Sequence, residues 1–365
     1  MPASHRAPRR SLSRRGKVVA AAASVGVMLG GVLGYFAFFP EQAPAFVRTT
    51  LRAVGLPGFG PESGPPLPTC PLSGEEVPGR QVPSRPALAI KVENHPEARP
   101  QAALNDADIV VEEPVEGGYT RFIAIFHCGD AGRVGPVRSG RTTDPDYLRQ
   151  LGPAVFGYAG GVSVVKREVP AVGLVDVNYI IAAEAYTRDD SRPAPHDLYT
   201  TTAALWKAAH SRDGAPAPLF AFSIEWEGKA RKVRGVHLPY SSVSDVVWTW
   251  RAGRGAWLRS HGDVAHVLEG GEQVSAANVV IQIVTVTDGD IIDPAGNPSP
   301  EVELTGKGRA YVLRDGTFIV GRWERETLDD VTRFVTKDGT QITLAPGRTW
   351  LQLLPSWIEV ELLRR

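Results

Sequence analysis

The sequence predicts an α+β protein: a mixed-sheet N-terminal module, then a mainly antiparallel β C-terminal module, the pair preceded by one transmembrane helix. Three observations predict it. Between residues 86 and 218, apolar strand-like runs alternate with stretches of helical periodicity. From residue 219 to 362 the pattern turns to strands, with hairpin signals at Asp315-Gly316 and Asp338-Gly339. Ahead of both, Val18 to Phe39 runs for 22 residues without a charged side chain, enough to span a hydrocarbon core of about 30 Å as a helix.

Residues 1–17 form a basic head with six Arg or Lys and no acid. Positive charge on that flank keeps it cytoplasmic and sends the rest of the chain across the membrane. The competing reading is a cleaved signal segment, because Ala43-Pro44-Ala45 resembles a cleavage site and Ser13-Arg14-Arg15 is a partial twin-arginine motif. Residues 40–85 are rich in Pro and Gly and read as a tether. Only Cys70 and Cys128 occur, both in the exported part, and an even pair in an oxidising compartment reads as a disulfide. Closing that loop is worth about 3–4 kcal/mol in the chain-entropy picture.

Pro86 to Glu93 reads as a strand, Asp108 to Phe126 as a hairpin, Thr142 to Leu151 as a helix, and Ala154 to Tyr158 as a further strand. Val162 to Val169 and Thr200 to His210 carry helical periodicity, the second with Thr residues available as N-cap. In the later part, Val246–Trp250, Asn278–Val286, Arg309–Arg314 and Thr317–Arg322 read as strands. Trp248, Trp250, Trp257, Trp323, Trp350 and Trp357 lie in or near them, where core packing competes with a sugar-stacking surface.

The hairpin carries the chemistry. Its first strand ends in Glu112 and Glu113, breaks at Pro114, and presents Glu116 before a Gly117-Gly118 turn; Arg121 lies on the returning strand. At period two Val111 and Glu113 share a face, as do Tyr119, Arg121, Ile123 and Ile125. Arg138 and Arg141 flank Ser139-Gly140, an arrangement resembling an anion cradle because guanidinium forks match phosphate or carboxylate oxygens. His196 follows in a polar loop. The structural alternative is a solvated turn whose acids simply pair with these arginines.

Other classes are excluded or unsupported. The chain balances 40 basic against 40 acidic residues, and with the head set aside 34 basic face 40 acidic, so no basic domain remains for nucleic acid. There is no H-E-x-x-H, Walker loop, G-x-S-x-G or strand-following G-x-G-x-x-G. No metal set accompanies the cysteines, and no cofactor is called for.

Several blocks taken together resemble the YerB-like family of bacterial envelope proteins. They are PALAIKVENHP from Pro86, ARPQ from Ala98, ADIVVEEPVEGGYTRF from Ala107, GPVRSGR from Gly135, PHDLYT from Pro195, NVVIQ from Asn278, GKG from Gly306 and GRTWLQLLP from Gly347. They span roughly residues 70 to 356 in the family's order. The resemblance implies an N-terminal module (86–218) and a C-terminal module (219–362) of YerB type, and no transferable activity. Family members are often lipoproteins; here no lipobox cysteine follows the apolar run, and Asp197 stands where the family pattern suggests Asn. Glu113, Glu116, Arg121, Arg138, Ser139, Arg141 and His196 match family blocks and are the candidate site.

The function expected is that of a single-pass cell-membrane protein with its bulk outside the cytoplasm. It would bind an anionic polymer or glycan of the envelope through Arg121, Arg138, Ser139 and Arg141. The alternative is an envelope hydrolase or transferase using Glu113 or Glu116 with His196 as a general acid-base pair.

Overall fold

A computed structural model describes residues 67–77, 81–210, 214–226, 228–293 and 295–364. The expected head, the apolar segment 18–39 and residues 40–66 of the expected tether lie outside them. Among the described residues no helix is long and apolar enough to cross a membrane.

The N-terminal half supplies Leu88–Glu93 (β1), Ile109–Pro114 (β2), Thr120–Phe126 (β3), Thr143–Leu148 (α1), Val155–Gly157 (β4) and Ser163–Ala171 (α2). Val175–Asp176 (β5), Tyr186–Arg188 (β6), Leu198–Thr200 (β7) and Thr202–Ala208 (α3) complete it. The C-terminal half begins with Arg231–Lys232 (β8), Gly235–Pro239 (β9), Asp245–Arg251 (β10), Ala256–His261 (β11), Val264–Ala265 (β12) and Ser275–Ala276 (β13). Asn278–Val284 (β14), Val286–Ile292 (β15), Pro298–Val302 (β16), Gly306–Arg314 (β17) and Thr317–Arg325 (β18) follow. Arg333–Val335 (β19), Thr349–Pro355 (β20) and Glu361–Leu363 (β21) end it. The expected change of character near residue 219 is visible here, since the helices α1 to α3 all precede it.

The two halves are not separate bodies. One eleven-stranded sheet runs β19-β18-β17-β14-β20-β2-β3-β1-β4-β5, with β8 added on β18. The seam is β20, which pairs in parallel with β14 on one side and with β2 on the other, Ile109 opposite Thr349 and Glu112 opposite Gln352. The described residues accordingly form one compact unit. A second sheet, β12-β11-β10-β9-β21 with β13 on β11, is antiparallel.

The central strands are apolar nearly throughout because both faces are covered, as a sheet layered on each side requires. Alternate residues serve two cores. Leu88, Ile90, Val110, Phe122, Ala124, Val279 and Trp350 face the second sheet and α3, meeting Val236, Trp248, Trp257 and Leu205. Ala89, Ile109, Val111, Ile123, Ile125, Val280 and Leu351 face the other way, onto Tyr147 and Leu148 of α1 and Val165 and Val169 of α2. Trp248, Trp257, Trp323 and Trp350 are core residues, whereas Trp357 is 67% exposed.

The folded body starts earlier than residue 86. Leu72 is fully buried, the Cys70–Cys128 disulfide is formed, and Arg85 stacks 3.5 Å from the Trp206 ring centroid. Thr201 caps α3 by accepting from the Ala204 amide at 3.0 Å. Asp315 and Gly316, at φ of 50° and 69°, make the expected tight turn between β17 and β18.

Candidate functional site

In the hairpin, β2 and β3 pair with Glu113 opposite Arg121, and β1 pairs on the other side of β3 with Glu93 opposite Arg121. Glu113, Arg121 and Glu93 therefore form one row across three strands, on the face that carries α1. Pro114 ends the ladder, and Gly117 and Gly118 take φ of 67° and 76°, which a side chain disfavours. Glu112 points to the opposite face.

Each glutamate at the end of β2 is sealed in its own network. Glu113 is fully buried and bonds Lys91 of β1, whose ammonium also donates to Asp144 at 2.6 Å. Burial first, and then the Asp144 charge, pushes Glu113 up to about 7, against the pull of Lys91. On the other face Glu112 accepts from Arg259 of β11 at 2.8 and 3.0 Å and from Thr120 at 2.7 Å. Arg259 continues to His266 at 2.8 Å, and His266 to Gln101 at 2.8 Å. Burial, followed by the Arg259 charge, holds His266 well below the ordinary histidine value, so it stays neutral.

Where the row of three reaches the strand ends, a cavity of about 520 Å³ opens. Its walls include Glu116, Arg121, Arg138, Ser139, Arg141 and His196, so six of the seven polar residues expected at the site do converge. Glu113 does not reach it. Its carboxylate is one strand away and closed off by Lys91 and Asp144, which removes it as the proton donor expected for a hydrolase.

Glu93, His95, Glu97, Tyr119 and Asp293 also line it. Glu93 and His95 lie in the PALAIKVENHP block and Glu97 directly follows it, where a His-x-Glu spacing just after a strand was the available signal. A larger groove of about 1080 Å³, lined by Trp226, Ile319 and Lys337 among others, contains none of the candidate residues.

Charge inside the cavity is unevenly matched. Arg138 donates to Glu93 at 2.9 Å, and His196 Nδ1 lies 2.8 Å from the other Glu93 oxygen. Arg141 donates to Glu116 through two nitrogens at 2.8 and 2.6 Å. Burial alone would raise Glu116; the Arg141 hydrogen bond and charge outweigh it and hold the carboxyl below its usual range.

Arg121 differs: it donates to the Ser139 carbonyl at 3.1 Å, and no carboxylate of the described residues comes within 4.0 Å of it. Burial, and next the neighbouring Arg141, push it below the ordinary arginine value. A guanidinium stays charged, so Arg121 is a buried cation held near Glu93 and Glu116 without a direct ion pair to either. Asp197 turns away to pair with Arg188 at 2.7 Å, so its carboxylate does not act beside His196.

One mixed sheet shared by two sequence halves, with a charged cavity at its strand ends, defines the class of protein. Residues 72–215 match the N-terminal domain and residues 236–351 the C-terminal domain of a family described as "Protein of unknown function (DUF3048)". The chain belongs to this YerB-like family. A Bacillus subtilis relative, "Putative lipoprotein YerB", is 29% identical over 297 residues, covering 78% of this chain and 86% of the relative. The crystal structure of YerB from Bacillus subtilis superposes with a TM-score of 0.70 at 26% identity, covering 80% of this chain and 99% of that one.

Proposed function

We propose that this protein is an envelope-associated, membrane-anchored protein, held by residues 18–39 with its body outside the cytoplasm, that captures an anionic envelope polymer in the 520 Å³ cavity. The observation that carries the reading is Arg121: a cation on the cavity wall, between Arg138 and Arg141, without a carboxylate partner among the described residues. A phosphate or carboxylate group placed there gains a guanidinium fork that no internal acid occupies. Ser139 adds a hydroxyl and Tyr119 an aromatic face for an attached sugar. The relative's name as a lipoprotein supports the envelope placement, and the disulfide suits an oxidising compartment.

The test is retention of the purified full chain on peptidoglycan and on anionic wall polymers, with released products quantified alongside. Binding is expected to weaken as salt rises, to fall with Arg138→Ala, and to be unaffected by Glu113→Gln. A hydrolase or transferase reading keeps Glu116 and His196 on the cavity wall. It draws support from the Glu93–His196 contact at 2.8 Å, which fixes the imidazole as a base would need. New low-mass products would select it; retention of the polymer without products selects capture.

A further inference from the structure

His196 has a carboxylate at each ring nitrogen. Nδ1 lies 2.8 Å from Glu93 Oε2, and Nε2 lies 3.3 Å from Glu97 Oε2. Glu93 is the fixed partner: it is buried at the end of β1 and also accepts from Arg138. With the Nδ1 proton donated to Glu93, Nε2 is left beside the Glu97 carboxylate at ion-pair distance, without a hydrogen bond to it. A bare imidazole nitrogen and a carboxylate oxygen at that distance are two donors that one cation can share.

A third donor stands beside them. The ring of His95 is stacked on that of His196 with centroids 5.3 Å apart, and its Nδ1 lies 3.9 Å from the same Glu97 oxygen. One donor atom each from His95, Glu97 and His196 lie within 4.8 Å of one another. Ligands about 2.0–2.2 Å from a tetrahedral zinc are separated by about 3.4 Å, so the Glu97–His196 edge already has the required length. The remaining closure falls to Glu97, whose side chain is 70% exposed, and to His95, whose Nδ1 exchanges the hydrogen bond it accepts from the Glu97 amide at 3.2 Å for the ion.

We infer that His95, Glu97 and His196 form a binding site for a divalent first-row transition ion of the zinc class, with Glu93 as the outer partner that orients His196. Two imidazoles and one carboxylate, without a thiolate, match zinc and its neighbours rather than calcium or magnesium, which favour all-oxygen sets. A carboxylate holding the far nitrogen of a ligating imidazole is the usual outer arrangement of such sites. The inference goes beyond anion capture, which needs only the arginines, although an ion on this wall would face the same cavity.

The cluster can be compared with His237, which also lies between two carboxylates, Asp245 at 2.5 Å and Glu361 at 2.8 Å. No second imidazole joins His237 among the described residues in a three-donor group, so it serves as the control.

The experiment is zinc chloride titration of the purified full chain, stripped of metal by a chelator, with bound metal counted by elemental analysis after gel filtration. Magnesium and calcium are run in parallel. A single equivalent of zinc per chain is expected, lost in His95→Ala and His196→Ala and retained in His237→Ala. Glu93→Gln is expected to keep the stoichiometry and weaken affinity about 10- to 100-fold.

Glu97→Gln guards against misfolding as an explanation. Its side chain is largely exposed, so the variant folds, and zinc should raise the melting temperature of the wild type but not of this variant. Arg121→Ala should still bind zinc, so the metal site and the anion site fail independently. Zinc binding that persists unchanged in His95→Ala and His196→Ala, or no stoichiometric zinc in the wild type, overturns the inference.

Discussion

Replacing Lys91 by methionine is expected to destabilise the protein by about 3–5 kcal/mol, the usual cost of removing one partner from a buried ion pair. The case is severe because two carboxylates lose the same ammonium, and Lys91, Glu113 and Asp144 are all fully buried. Asp144 also accepts from the Arg141 amide at 2.6 Å, so the loss spreads to the loop that carries Ser139 and Arg141. Urea unfolding measures it. Glu113→Gln should cost far less, since Lys91 keeps Asp144.

The same triad sets a pH dependence. Glu113 is raised in the folded state to about 7 from an ordinary value of 4.5, first by burial and then by Asp144. A carboxyl whose folded pKa is raised binds more protons folded than unfolded. Its contribution is fully present below 4.5 and is lost as pH rises through about 7. The stability of the wild type relative to Glu113→Gln should therefore decline across that window. A difference that is flat or rising with pH would contradict the raised value.

The second large effect is expected at Arg259→Met, again about 3–5 kcal/mol. Arg259 belongs to β11 of the second sheet and reaches Glu112 in the central sheet, with both side chains fully buried. The variant leaves Glu112 buried with hydrogen bonds only from Thr120 and Asn94 among the described residues, and with Arg99 as the remaining nearby cation. Arg259→Met combined with Glu112→Leu should recover most of the loss, because a well-packed apolar pair can replace a buried ion pair at little net cost. Failure of the double variant to recover would show that His266 and Gln101 need Arg259 in its own right.

The sequence carried a good part of this account. Alternation identified the hairpin and the strands of β10, β14, β17 and β18, and the cysteine pair identified the disulfide. The convergence of Glu116, Arg121, Arg138, Ser139, Arg141 and His196 was legible because the blocks matched a family in order.

The placement of Glu113 was not. Period two assigns its face, but only the β1–β3 register puts Lys91 beside it, and that pairing joins residues 22 apart through a third strand. The merger of the halves was hidden for a similar reason: β2 meets β20 across some 240 residues, and parallel strands leave no turn signal at either end. Arg259, a lone charge inside the strand AWLRSH, was the overlooked mark of a buried partner on another sheet.

The most direct test of anion capture is an equilibrium titration of the full chain with a soluble, anionic wall polymer rich in phosphodiesters, comparing wild type, Arg121→Ala and Glu113→Gln. Loss of a charge-assisted contact of about 1.5–3 kcal/mol predicts affinity reduced about 10- to 150-fold in Arg121→Ala. Glu113→Gln should bind like the wild type, because its carboxylate never faces the cavity. Equal affinity in wild type and Arg121→Ala would contradict the account.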